Sequence, residues 1–81
     1  MADAATAAPA RLDATGLVCP LPVLRARKAM RAVTTGGLLE VRATDPAAVK
    51  DFAAFCEATG HALLDSREEA GVYIFLMRKA G

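Results

Sequence analysis

Hydrophobic spacing in this chain changes period along its length, and that alternation limits the folds open to it. Leu38 to Ala43 alternates, with Leu39, Val41 and Ala43 on one side and Glu40 and Arg42 on the other, the pattern of a half-buried strand. Before it, Pro20 to Val33 places Val23, Ala26, Met30 and Val33 on one helical face. Arg25, Arg27, Lys28 and Arg31 fall on the other face. After it, Thr44-Asp45-Pro46 reads as a helix start, with Asp45 as N-cap and Pro46 in the first helical position. The second helix is predicted to run to about Thr59, with Val49, Phe52, Phe55 and Cys56 facing inward and Gly60 ending it. Arg11 to Ala14 is a short candidate strand and Ala62 to Arg67 another; Val72 to Arg78 (VYIFLMR) carries the strongest β pattern.

The predicted order is β-α-β-α-β-β. Two helices cannot cover both faces of a four-stranded sheet in 81 residues. The expected fold is therefore α+β: a two-layer α/β sandwich, a four-stranded mixed sheet with two helices on one face. The last two strands are expected to form an antiparallel hairpin. The final strand is apolar on both sides, Val72/Ile74/Leu76 and Tyr73/Phe75/Met77. One of these sets meets a partner or a second copy, or else the N-terminal strand and edge loops cover it.

Composition bounds the rest. A chain this short supports one domain, expected over residues 11–79, with a stability on the order of 4–12 kcal/mol. The net charge of +1 lacks the basic excess of a strong nucleic-acid binder. No apolar run is long enough to span a bilayer. Residues 1–10, MADAATAAPA, have Asp3 where a secretory signal needs positive charge. They read as a disordered Ala-rich leader, which points to the cytoplasm, where thiols stay reduced. The two cysteines cannot build a disulfide framework, no Cys/His cluster has metal-ligand spacing, and no cofactor or metal is expected.

The cysteines occupy opposite situations. Cys56 lies on the apolar stripe of the second helix, where a thiol packs like a small hydrophobe. Cys19 lies in Gly16-Leu17-Val18-Cys19-Pro20-Leu21-Pro22, where coil becomes helix. With Cys19 as N-cap, Pro20 falls at N1 and Pro22 at N3, positions that lose no helical hydrogen bond. Gly16 lets the chain bend, and the prolines stiffen the first turn. The positive helix end favours thiolate, so a modest lowering of the Cys19 pKa is expected, with the Leu21 N–H as the main donor nearby. No second cysteine follows at C-x-x-C spacing, and His61 lies at the start of the third strand. A lone exposed nucleophile without catalytic partners suits a carrier that accepts a group and surrenders it, rather than a self-contained enzyme. Asp13 and Asp45 are candidates to flank the thiol. Leu21 and Leu24 share the cationic face with Arg25, Arg27, Lys28 and Arg31, as a partner-binding patch or as an ordinary solvated face.

The run Leu12-Asp13-Ala14-Thr15-Gly16-Leu17-Val18-Cys19-Pro20-Leu21-Pro22, with Arg27-Lys28, Asp45-Pro46, Phe55-Cys56 and a closing Arg78-Lys79, resembles the TusA family of sulfur carriers. The specific element is D-x-x-G-L-x-C-P-x-P. The resemblance implies a β-α-β-α-β-β sandwich similar to the C-terminal domain of bacterial translation initiation factor 3. It implies a persulfide on Cys19, loaded by a cysteine desulfurase or a rhodanese. It also implies a downstream acceptor protein in tRNA 2-thiouridine synthesis, molybdenum-cofactor synthesis or sulfur oxidation. The competing readings are a protein- or RNA-binding regulatory module with an idle thiol, and a redox-sensing thiol.

Overall fold

The structure, a computed structural model, describes residues 8–81. Most of the expected leader, residues 1–7, lies outside the described residues; Ala10, assigned to it above, already opens a strand. The elements are β1 (Ala10–Ala14), α1 (Leu21–Met30), β2 (Leu38–Ala43), α2 (Ala48–Thr59), β3 (Ala62–Glu69) and β4 (Val72–Arg78). The strands lie in the order β1-β2-β4-β3, with β1 parallel to β2 and β4 antiparallel to both its neighbours. The sheet is therefore mixed, as expected.

Alternation decides which side chains meet the helices. Leu39, Val41 and Ala43 of β2 and Phe75 and Met77 of β4 are buried. They join Ala26 and Met30 of α1 and Phe52, Phe55 and Cys56 of α2 in one core. Phe52 stacks on Phe75 at 4.6 Å between ring centroids and meets Phe55 edge-on at 6.4 Å. Such pairs contribute about 0.5–1.5 kcal/mol each beyond their buried area.

The sheet face away from the helices also holds a buried apolar side chain. Ile74 is buried there, directly between Arg42 of β2 and Arg67 of β3 in the strand register. Arginine stems at such flanking positions can cover an aliphatic side chain while their charged ends stay in water. Those ends are held in turn. Arg67 pairs with Asp65 and Glu69, and Glu40 Oε1 forms ion pairs with Arg11 Nε at 3.4 Å and Arg42 Nε at 3.8 Å. Exposed pairs of this kind contribute little energy.

Several boundaries differ from the expected ones. α1 ends at Met30, not Val33, because Arg31, Ala32 and Val33 donate three residues back, to Lys28, Ala29 and Met30. This tightened final turn still leaves Val33 buried. α2 starts at Ala48 with Ala47 as N-cap. The Asp45-Pro46 segment forms a tight turn before it, with Ala48 N–H bonded to the Asp45 carbonyl at 2.9 Å. At the start of the helix Ala48 is buried and Val49 is 40% exposed, whereas Phe52, Phe55 and Cys56 face inward as expected. β3 runs on to Glu69, because the connection to β4 is only Ala70-Gly71, both at positive φ (51° and 85°). Two-residue hairpins with this geometry match the twist of the strands they join. Among the described residues, no helix is long and apolar enough to cross a membrane.

Candidate functional site

The segment between β1 and α1 is held at both ends by side-chain oxygens. Asp13 Oδ1 accepts from the Thr15 N–H at 3.0 Å and from its hydroxyl at 2.6 Å. Gly16 turns the chain at φ 80°, in the left-handed region that disfavours any Cβ. Its N–H donates to Thr44 Oγ1 at 2.9 Å. Three residues on, the Cys19 N–H donates to Asp45 Oδ2 at 2.7 Å, while Oδ1 of the same carboxylate accepts from Ala47 N–H at 3.0 Å. Asp45 thus ties the Cys19 backbone to the entry of α2. These N–H groups hold its pKa below the ordinary carboxylate range.

The helix opens one residue later than the wheel suggests. Pro20 is the N-cap and Leu21 is N1, which puts Pro22 at N2. Pro22 is buried, and the Cys19–Pro20 peptide is cis. The Leu21 N–H, expected to face the thiol, donates instead to the Val18 carbonyl at 2.9 Å. The positive helix end therefore offers Cys19 less than anticipated.

Cys19 is exposed and free, at the mouth of a groove between the helices. Pro20, Val23 and Arg27 form one wall; Asp51, Ala54, Phe55 and Ala58 form the other. The Arg27 guanidinium sits 5.9 Å from the Phe55 ring centroid, a cation–π contact worth about 0.5–1 kcal/mol at an exposed site. The Cys19 pKa is raised above its ordinary value, first by hydrogen bonding toward the Asp51 carboxylate on the same groove, which favours the protonated thiol, then by desolvation and by the negative charges of Asp51 and Asp45. The expected lowering is thus reversed, because carboxylates outweigh a helix end whose first N–H is already used.

Gly16, Pro20, Leu21, Pro22 and Asp45 all lie at or beside Cys19. Asp13 does not: its carboxylate is spent on Thr15, at the far end of the loop. The four cations divide. Arg27 and Arg31 border the grooves against α2, whereas Arg25 and Lys28 share an exposed stripe with Leu21 and Leu24, which are 41% and 51% exposed. Val18, beside Cys19, is 65% exposed and extends that apolar patch. His61 lies away from the thiol. Its Nδ1 accepts from the Ala80 N–H at 2.9 Å, and its ring packs 5.6 Å from Phe55.

Asp51 and Thr44 escaped the sequence reading. A signal for Asp51 exists: it interrupts the small-residue stripe Ala47, Ala54 and Ala58 on the side of α2 that faces α1. Thr44 shows its role only once β2 lies beside β1.

The family profile described as Sulfurtransferase TusA matches residues 10–79. The sulfur carrier protein TusA of Allochromatium vinosum is 54% identical over 69 residues, covering 85% of this chain and 91% of that one. The protein of the same name from Pseudomonas entomophila is 50% identical over 70 residues, 86% of this chain and 88% of its own. Among solved structures, the SirA-like protein of Desulfitobacterium hafniense superposes with a TM-score of 0.75 at 25% identity, over 88% of this chain and 97% of that one. With the profile spanning nearly all of the described chain and half the aligned residues shared with named carriers, this chain belongs to the TusA family of sulfur carrier proteins.

Proposed function

We propose that this protein carries sulfane sulfur as a persulfide on Cys19, taking it from a donor protein and delivering it to an acceptor. The observation that carries the reading is the exposed Cys19 thiol at the mouth of the α1–α2 groove, on backbone fixed by Asp45. A carrier needs a sulfur that two different proteins can reach in turn, which exposure provides. It also needs that sulfur held at a constant place, which the bonds to Thr44 and Asp45 provide.

Loading is a thiol exchange. The Cys19 sulfur, once deprotonated, attacks the outer sulfur of the donor persulfide. The new S–S bond forms on Cys19 as the donor's S–S bond breaks. The electron pair and a proton go to the donor sulfur, which leaves as a thiol. Discharge is the same exchange with an acceptor as nucleophile. The sulfane sulfur keeps its oxidation state throughout, so no oxidant is consumed. The donor is a cysteine desulfurase or a rhodanese. Val18, Leu21 and Leu24, flanked by Arg25 and Lys28, form the surface on which donor and acceptor dock. The acceptor lies in tRNA 2-thiouridine synthesis, molybdenum-cofactor synthesis or sulfur oxidation.

Incubation with a cysteine desulfurase and cysteine, followed by intact mass measurement, tests the reading. The expected product is heavier by one sulfur atom, reverts on reduction, and does not form with Cys19→Ser. An unmodified wild-type protein beside a donor that loads a known acceptor overturns it and favours a binding module.

A further inference from the structure

Reactive cysteines usually sit in electropositive surroundings that favour the thiolate. Here two carboxylates, on α2 and on the turn before it, act on the Cys19 thiol. Asp45 is committed to two backbone N–H groups. Asp51 is half-buried on the groove wall opposite Pro20 and Val23, lines the same groove as the Cys19 thiol, has no salt-bridge partner among the described residues, and raises the thiol's pKa. Arg27, the cation on the same groove, is turned to the Phe55 face.

We infer that Asp51 is the proton partner of Cys19, accepting the thiol proton as sulfur is loaded and returning it as sulfur leaves. The inference rests on the carrier reading above and states how that site is regulated. During loading the S–H bond breaks toward the Asp51 carboxylate as the Cys19 sulfur attacks the donor's outer sulfur. The donor sulfur leaves with the bonding pair, and a proton from water completes its thiol. During discharge an acceptor thiolate attacks the outer sulfur of the Cys19 persulfide. The S–S bond to Cys19 breaks, its pair returns to the Cys19 sulfur, and Asp51 supplies the proton. A protonated Cys19 attacks the newly formed acceptor persulfide more slowly than a thiolate does, which disfavours return of the sulfur. Asp51 therefore biases the carrier toward release, at the cost of weaker retention. In the loaded state the ionisable sulfur is one bond farther out, and the persulfide anion meets less of the Asp51 charge than the empty thiolate would.

Two measurements on the full chain test this. The first is the pH dependence of Cys19 alkylation by iodoacetamide, a neutral probe, in wild type, Asp51→Asn and Asp51→Glu. Asp51→Asn is expected to move the half-maximal pH downward and to speed alkylation several-fold at neutral pH, and Asp51→Glu to restore the wild-type profile. The second is the partition of sulfur between carrier and a glutathione/glutathione-persulfide pool, read by intact mass. Asp51→Asn is expected to retain more sulfur than wild type. Thermal unfolding of each variant confirms that the fold is kept; if Asp51→Asn does not fold, Asp51→Ser replaces it with the same expectation. An alkylation profile unchanged by loss of the carboxylate overturns the inference. A wild-type protein that takes up no sulfur overturns the carrier reading instead, and the alkylation profile still decides whether Asp51 controls the thiol.

Discussion

The groove between α1 and α2 holds Cys19 in water beside a carboxylate, whereas the space beneath α2 holds Cys56 in hydrocarbon. Both thiols have pKa values above the ordinary range, Cys19 first through the hydrogen bond to Asp51 and Cys56 through burial. The shared direction conceals opposite consequences. A proton held by a neighbouring carboxylate has somewhere to go when an electrophile arrives, and the sulfur can be reached. A proton held by desolvation leaves only if charge enters the core, and no partner can reach the sulfur there. Access and a proton path separate a carrier thiol from a packing thiol, and the direction of the shift does not.

The sharpest way to break this comparison is to remove each sulfur. Cys19→Ser is expected to abolish uptake of sulfur from a desulfurase completely, with the urea midpoint close to wild type, because the side chain is exposed. Residual uptake on Cys56 in the folded variant, located by peptide mass mapping, ends the distinction. Next in size is an effect on the core alone. Phe52 is fully buried and stacks on Phe75, so Phe52→Ala is expected to cost about 3–5 kcal/mol in urea unfolding. For a domain of this length that is a large part of the total. Any molecules still folded are expected to load sulfur on Cys19. Smaller again is Cys56→Ser, expected to cost about 1–3 kcal/mol for an enclosed hydroxyl. The lower end is favoured, since a helical serine bonds to the carbonyl four residues back. Loading at Cys19 is expected to be unaffected; slowed loading in a fully folded Cys56→Ser sample counts against treating the two regions as independent.

How much of this was readable in the sequence follows the range of the forces involved. β2 and β4 keep their expected bounds because alternation and β-branching are local properties, present in Leu38–Ala43 and Val72–Arg78 themselves. The start of α1 shifts by one because the Leu21 N–H has two possible uses, the thiol or the Val18 carbonyl, and only backbone geometry chooses. The insertion of β4 between β2 and β3 is a matter of pairing, which no strand announces alone. The flanking of Ile74 by Arg42 and Arg67 was not legible, because the arginines lie on two other strands. Cys19 itself was legible, since proline spacing and the glycine bend lie within a few residues of it. Its acidic surroundings were not, since Asp45 and Asp51 reach it only when α2 packs beside α1. The chemistry of the nucleophile is written locally and its electrostatics are written by the fold.

Asp45 joins these two levels, and its acid titration gives the smallest and most specific effect. The carboxylate takes N–H groups from Cys19 and Ala47, and its pKa is lowered from the ordinary 3.8. A carboxyl whose pKa is lower in the folded chain contributes stability in full above its unfolded value. That contribution fades as pH falls through the folded value, where both states are protonated. Asp45→Asn keeps the shape and one acceptor oxygen but cannot ionise. Measured by urea unfolding across acid pH, wild type is expected to exceed Asp45→Asn at neutral pH. The gap is expected to hold down to about pH 4 and to close below it. Other carboxylates, Asp13 among them, titrate in both proteins and cancel in the difference. A gap independent of pH means that the charge on Asp45 does nothing for the fold, and the hydrogen bond to Cys19 is then a matter of shape alone. A gap that closes on schedule, together with an altered rate of Cys19 alkylation in the variant, places the same carboxylate in both the stability of the α2 entry and the presentation of the sulfur.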